Sequence, residues 1–158
     1  MMIRIRQILI LYFCLCIYVA QGQNENQMLV FDINEKPLYM YNSDAVDSFT
    51  YIRLDGEQLD VGVDVKYSEG IDSLISYLNY YYFKDYYKDE VNSLLVFCIL
   101  FNDKLDIQEI RISKRLGIKT DKYDDLILKS LLLTKGKWIK TKPSPKKWYL
   151  YIGRYKLI

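Results

Sequence analysis

The chain contains no histidine among its 158 residues. That absence removes Ser-His and Cys-His nucleophile pairs and every histidine metal ligand, and with them much of hydrolase and zinc chemistry. Cysteine is scarce as well. Cys14 and Cys16 lie in an apolar run near the start, and only Cys98 lies in the body of the chain. A lone cysteine forms no internal disulfide, and a run apolar at both parities suits a small core residue better than a reactive thiol. Three prolines and seven glycines exclude a Pro-rich spacer or a Gly-rich linker, and no phosphate loop or dinucleotide fingerprint occurs. Carboxylate pairs are the remaining enzymatic option. Asp121, Asp124 and Asp125 come closest together, yet they open a predicted helix, where the backbone dipole favours acids for structural reasons. The expectation is a non-catalytic protein with no cofactor and no metal.

What is present begins with the layout of a secretory signal peptide over residues 1–22. Arg4 and Arg6 form a basic start, Ile8 to Val19 an apolar core short for a bilayer span, and Ala20-Gln21-Gly22 a small-residue cleavage site. This predicts a periplasmic or secreted protein; the alternative is an inner-membrane anchor made by uncleaved residues 7–19. Cleavage removes two of the 22 basic residues and leaves twenty bases facing twenty acids. About 136 residues remain, enough for one domain with a real core.

The chain is organised around Gly70 to Lys156, which reads helix, strand, tight turn, strand, helix, loop, strand. Ile71, Leu74, Ile75 and Leu78 form an apolar helical stripe after the cap candidates Ser68 and Gly70. Asn92 to Phe101 is apolar at both parities, the mark of a strand covered on both faces. Asn102-Asp103-Lys104 supplies the turn, and Leu105 to Ile112 the return strand. Apolar parity slips between Ile107 and Ile110, as a bulge near Gln108 and Glu109 would require. A second helix begins at Thr120 or Asp121 and carries Tyr123, Leu126, Ile127 and Leu131. The last strand runs from Trp148 to Leu157, with Gly153 inside it as a weak point or a site of close approach. Two amphipathic helices each need a surface for one stripe, which predicts an α+β fold of two layers, two helices on a small antiparallel sheet.

This order, together with Gly70-Ile-Asp-Ser-Leu-Ile-Ser-Tyr-Leu78, the Asn-Asp-Lys turn and Gly136-Lys-Trp138 before a Pro-containing loop, resembles the C-terminal domain of TonB. The resemblance covers residues 69–158. It departs from the family at Tyr80-Tyr-Tyr-Phe83, where a Tyr-Pro pair is usual, and at Asn92, where a Gly is usual. What it implies is a module of a Gram-negative cell envelope that captures extended peptides; without a long Pro-rich spacer it does not imply a motor.

Residues 23–68 are β-rich and predicted to pack on the main domain. Met28 to Phe31 pairs with Pro37 to Tyr41 around Asn34-Glu35-Lys36, and Thr50 to Leu54 pairs with Leu59 to Tyr67 around Asp55-Gly56-Glu57. Leu59, Val61, Val63 and Val65 alternate with polar residues or glycine, as in a strand with one wet face.

Charge is divided along the chain. Residues 23–72 hold eleven acids and three bases, whereas residues 102–158 hold six acids and fifteen bases. The two halves attract each other, or the basic end faces an anionic partner. Its densest part is Lys135, Lys137, Lys140, Lys142, Lys146 and Lys147 around Trp138 and Pro143-Ser-Pro145. An exported protein seldom meets nucleic acid, so the candidates are an anionic envelope component or a solvated loop. Sixteen tyrosines include the cluster Tyr77, Tyr80, Tyr81, Tyr82, Tyr86 and Tyr87, read as cover for the sheet before an interface.

Two functions of different class follow. In one, the last strand is an edge that accepts an extended peptide of an envelope protein or a TonB-dependent transport partner by main-chain pairing. Its site comprises Trp148, Tyr149, Tyr151, Arg154 and Tyr155, with Lys146 and Lys147 beside the entrance; alternation places Tyr149, Tyr151 and Tyr155 on one side and Trp148, Leu150, Ile152 and Arg154 on the other. In the other, the chain is an envelope structural or inhibitory protein that acts through its tyrosine cluster or lysine loop, with the N-terminal hairpins already covering that edge. An exposed edge also permits a dimer.

Overall fold

The computed structural model describes residues 27–42, 49–86, 93–117 and 123–157. The expected signal peptide, the Thr120 and Asp121 caps, and the side chains of Tyr81, Tyr82, Tyr86 and Tyr87 lie outside the described residues. The elements in chain order are β1 (Gln27–Phe31), β2 (Pro37–Asn42), β3 (Phe49–Ile52), β4 (Gln58–Gly62), β5 (Val65–Tyr67), α1 (Ile71–Tyr86), β6 (Ser93–Asn102), β7 (Ile107–Gly117), α2 (Asp124–Leu132), β8 (Trp138–Lys140) and β9 (Trp148–Leu157).

Seven strands form one sheet in the order β1-β2-β3-β4-β9-β6-β7, and β5 pairs with β8 in a second sheet of two strands. Every pairing is antiparallel except that of β4 with β9. The α+β class is as the periodicities predict. The sheet is not small, because the N-terminal hairpins continue it instead of merely packing on it.

The central hairpin follows its sequence closely. β6 lies between β9 and β7, which accounts for its apolar residues at both parities: Phe97, Ile99 and Phe101 fill one core, Cys98 and Leu100 the other. Leu100 pairs with Glu109 and Phe101 with Ile107, so Gln108 is the extra residue of a bulge where parity placed one. A second bulge, at Ser113, separates the pairs Val96–Lys114 and Phe97–Ile112, and the Ser113 hydroxyl donates to the Val96 carbonyl at 3.1 Å. Leu105 belongs to the turn and not to the strand. Asn102 Oδ1 accepts from the backbone N–H groups of Lys104 and Asp106, and Leu105 takes a left-handed φ of 63°.

One face of the sheet carries the helices. Leu74 and Leu78 of α1, and Ile127 and Leu131 of α2 with Tyr123 just before it, pack on Leu95, Phe97, Ile99, Phe101 and Ile112. Val65, Tyr67 and Trp138 of the small sheet complete this core. The other face is covered by the sheet itself, which curls until Leu38, Tyr51, Leu59 and Val61 meet Cys98, Leu100 and Leu150. The strand expected from Leu59 to Tyr67 breaks at Val63 and Asp64, where the Val65 N–H donates to the Val63 carbonyl two residues back at 2.9 Å. The break sends Leu59 and Val61 into one core and Val65 into the other, although their parity is the same.

Gly153 is a site of close approach. A Cβ there would lie under 3.0 Å from three atoms of the Phe97 ring, its cross-strand partner. The bare backbone of β9 is the seat of that ring.

Candidate functional site

β9 is internal to the sheet, but not along its whole outer side. Its ten residues pair with β6 from Trp148 opposite Asn102 to Leu157 opposite Ser93. On the other side β4 pairs with it only at Trp148 and Tyr149. The expected edge is therefore corrected over those two residues, which the N-terminal hairpins cover. β4 then leaves: Gly62 lies close to Tyr149, where a Cβ would stand 3.4 Å from the ring, and the chain bends at Val63 toward the small sheet. From Leu150 onward no described residue pairs with the outer side of β9.

The divergence of β4 and β9 leaves an apolar wedge of about 520 Å³ lined by Tyr41, Phe49, Val63, Val65, Tyr151 and Ile152, with Leu150 at its base. Phe49 packs on Tyr41 and Tyr39 with ring centroids 5.1 and 5.8 Å apart, which makes its wall aromatic. Burial raises the pKa of Tyr151, whose ring leans on Trp138 with centroids 4.7 Å apart.

The sequence-predicted residues divide accordingly. Trp148 and Tyr151 are half-buried and Arg154 is exposed. Tyr149 and Tyr155 are 0% and 2% exposed, so their rings face the helix-covered core and not a partner. Tyr155 donates to Asn79 Oδ1 of α1 at 2.6 Å, and Tyr149 donates to the Ser144 carbonyl at 3.1 Å. Their parity is as predicted; what the sequence did not show is that α1 and the lysine loop cover that side.

The lysine loop faces the acidic segment. Lys146 pairs with Asp60 of β4, Lys142 with Asp64 at 3.1 Å and Lys135 with Asp106 at 3.7 Å. Lys137 lies over the Tyr77 ring at 5.1 Å and Lys140 over Tyr149 at 4.5 Å. Lys147 is exposed. Attraction between the two halves of the chain, the first of the two expectations for the charge, is what the Lys146–Asp60 and Lys142–Asp64 pairs show, whereas Lys135–Asp106 lies within the basic half. In the tyrosine cluster Tyr77 is half-buried and Tyr80 is exposed.

A buried polar network, unforeseen in the sequence, closes the curl. Arg111 of β7 donates from Nη2 and Nε to Asp32 Oδ2 at 2.8 and 3.2 Å, from Nη1 to the Ile52 carbonyl at 2.8 Å and from Nη2 to the Pro37 carbonyl at 3.0 Å. Tyr51 donates to Glu109 Oε1 at 2.7 Å, and that oxygen also accepts from Arg111 at 3.4 Å. Asp32 Oδ1 caps the β1–β2 turn by accepting from the N–H groups of Asn34 and Lys36, both at 2.9 Å. Burial alone would raise the Asp32 carboxyl, but the Arg111 guanidinium and the two N–H groups outweigh it and hold its pKa below 3.8. Burial pushes Tyr51 up, with the Glu109 hydrogen bond adding to it, and pushes the Cys98 thiol up to about 12. A cavity of about 430 Å³ beside the network is lined by Asp32, Arg111, Asp124 and Asp125 among others. Asp32 and Asp124 there are paired with Arg111 and Arg115, and Asp125 is exposed. Little signal was available in the sequence, because Arg111 stands between Ile110 and Ile112 in a strand that also carries Gln108, Glu109, Ser113, Lys114 and Arg115.

Among the described residues no group of three His, Cys, Asp or Glu side chains is placed to hold a metal ion, and no helix is long and apolar enough to cross a membrane. These features define an α+β domain in whose curled sheet, among the described residues, β9 has no partner on its outer side from Leu150 onward, beside an apolar wedge. No known protein-family model, curated protein or solved structure matches the chain.

Proposed function

We propose that this chain is a non-catalytic binding module of the cell envelope that takes up an extended segment of an envelope protein, or of a TonB-dependent transport partner, as an added strand along β9 from Leu150 onward. The observation that carries this reading is the half-edge: β9 is fully paired with β6, while its outer side loses β4 after Tyr149 and has an apolar wedge at the point of departure. Main-chain pairing supplies affinity in such a complex, and alternate side chains supply specificity. The order α1, β6, β7, α2, β9, with the short β8 in the loop before β9, supports the resemblance to the TonB C-terminal domain, in which capture of extended peptides is the implied activity. Export to the periplasm or cell exterior belongs to the same proposal and rests on the basic and apolar pattern of residues 1–22.

The second reading, an envelope structural or inhibitory protein that never adds a strand, is favoured by one observation. The N-terminal hairpins do pair with the start of β9, at Trp148 and Tyr149. The two separate on proline variants of the full-length chain, Tyr151→Pro and Ile152→Pro. Neighbouring residues point their N–H groups to opposite sides of a strand, so one variant removes a donor from the free side and spares the β6 ladder. In capture of partners from solubilised envelope, the variant that keeps the wild-type circular dichroism spectrum loses the partner under strand addition. Retention of the partner by that variant establishes the second reading.

A further inference from the structure

We infer that the segment added beside β9 carries one bulky apolar side chain and, at the next two alternate positions, acidic side chains. The inference rests on the strand-addition reading and specifies its ligand. Leu150 and Ile152 line the wedge, and both lie on the face of β9 that borders the self-covered core. Side chains recur on one face of a strand every second residue, roughly 7 Å apart, so Arg154 and Lys156 continue the row that begins in the wedge. Both are exposed, and no described residue forms an ion pair with either. Across the sheet Arg154 pairs with Val96, which pairs with Lys114, so a third exposed cation shares that face.

Among the described residues, the two acids on the chain leaving the wedge are engaged elsewhere: Asp60 holds Lys146 and Asp64 holds Lys142. The free half-edge thus presents an apolar socket followed by a positive rail. A strand laid along it places one side chain in the socket and its next two same-face side chains beside Arg154 and Lys156. If it runs parallel to β9 the order is apolar-x-acid-x-acid; if antiparallel, acid-x-acid-x-apolar.

Fluorescence polarisation of labelled nine-residue peptides with the full-length chain tests this. The peptides are the two orders, each also with both acids replaced by lysine, and each with both acids moved by one position so that they face the other side of the strand. One of the two orders binds. Both of its altered forms bind about tenfold more weakly at low ionic strength, and the difference shrinks as salt screens exposed charges. The doubly substituted chain Arg154→Glu and Lys156→Glu, with a circular dichroism spectrum like wild type, prefers the lysine form. Equal binding of the acid, lysine and shifted forms overturns the charge rail and leaves strand addition standing. Absence of binding by every peptide overturns both.

Discussion

The two faces of the seven-stranded sheet are covered in different ways, and the contrast separates two kinds of cohesion. The helix-covered face is closed by apolar and aromatic side chains from α1, α2 and the small sheet, with Trp138 wedged against Phe101 at a centroid distance of 5.1 Å. The self-covered face has a smaller apolar core, and its rim is fastened by the guanidinium of Arg111 and the carboxylate of Asp32, both under a tenth exposed. An apolar face tolerates modest substitution by repacking, whereas a buried ion pair tolerates loss of neither partner alone.

The largest effect expected from breaking this contrast is that of Asp32→Ala. It strands the Arg111 cation, removes the cap of the β1–β2 turn and costs about 3–5 kcal/mol, read as a fall in the urea midpoint. The double variant Asp32→Ala with Arg111→Met recovers much of that loss, because no charge is then left buried. If the double variant is no more stable than the single one, the penalty lies in the turn and not in the stranded charge.

On the helix-covered side Gly153→Ala drives a methyl group into the Phe97 ring and costs about 1–3 kcal/mol by overpacking. Phe97→Leu in the same chain returns part of this, a coupling that a double-mutant cycle measures. Additive losses would show that the glycine is needed for something other than the ring.

The smallest effect sharpens the comparison through acid. The folded-state pKa of Asp32 lies below its ordinary 3.8, so its contribution is fully present above about pH 5 and is lost as pH falls through the folded value. Wild type minus the Asp32→Ala/Arg111→Met variant, followed by urea unfolding from pH 6 to pH 2, shows that loss as a shrinking difference. A difference independent of pH would mean that the carboxylate contributes nothing through its charge.

Much of the helix-covered side was legible in the sequence. The doubly apolar β6, the bulge at Gln108 and the stripes of both helices, apart from the exposed Ile71, follow from side-chain periodicity, which each element carries within its own residues, whereas the choice at Gly153 between a weak point and a close approach was made by the Phe97 ring. The self-covered side was not. Nothing near Arg111 in sequence marks Asp32 as its partner, because the pair is set by a curl that brings the β1–β2 turn to β7, where the Ile33 N–H meets the Ile112 carbonyl at 3.3 Å. For the candidate site, the facing of Tyr149, Tyr151 and Tyr155 was readable from alternation. Burial of Tyr149 and Tyr155, and the two-residue pairing of β4 with β9, were not.

By itself, then, the sequence determined both helices and most of the strands, and which side of each is apolar, since those properties depend on neighbours one to four residues away; the short β8 and the break at Val63 were not among them. It also set the opposition of an acidic first half to a basic second half. The tertiary structure alone decided how far the sheet extends, which strand lies at its centre and where β4 parts from β9. Those outcomes depend on backbone pairings between distant segments, on the bend at Val63 and on one ion pair closed over 79 positions of chain. Pairing through the main chain is indifferent to side-chain identity, so it leaves little trace in the order of residues.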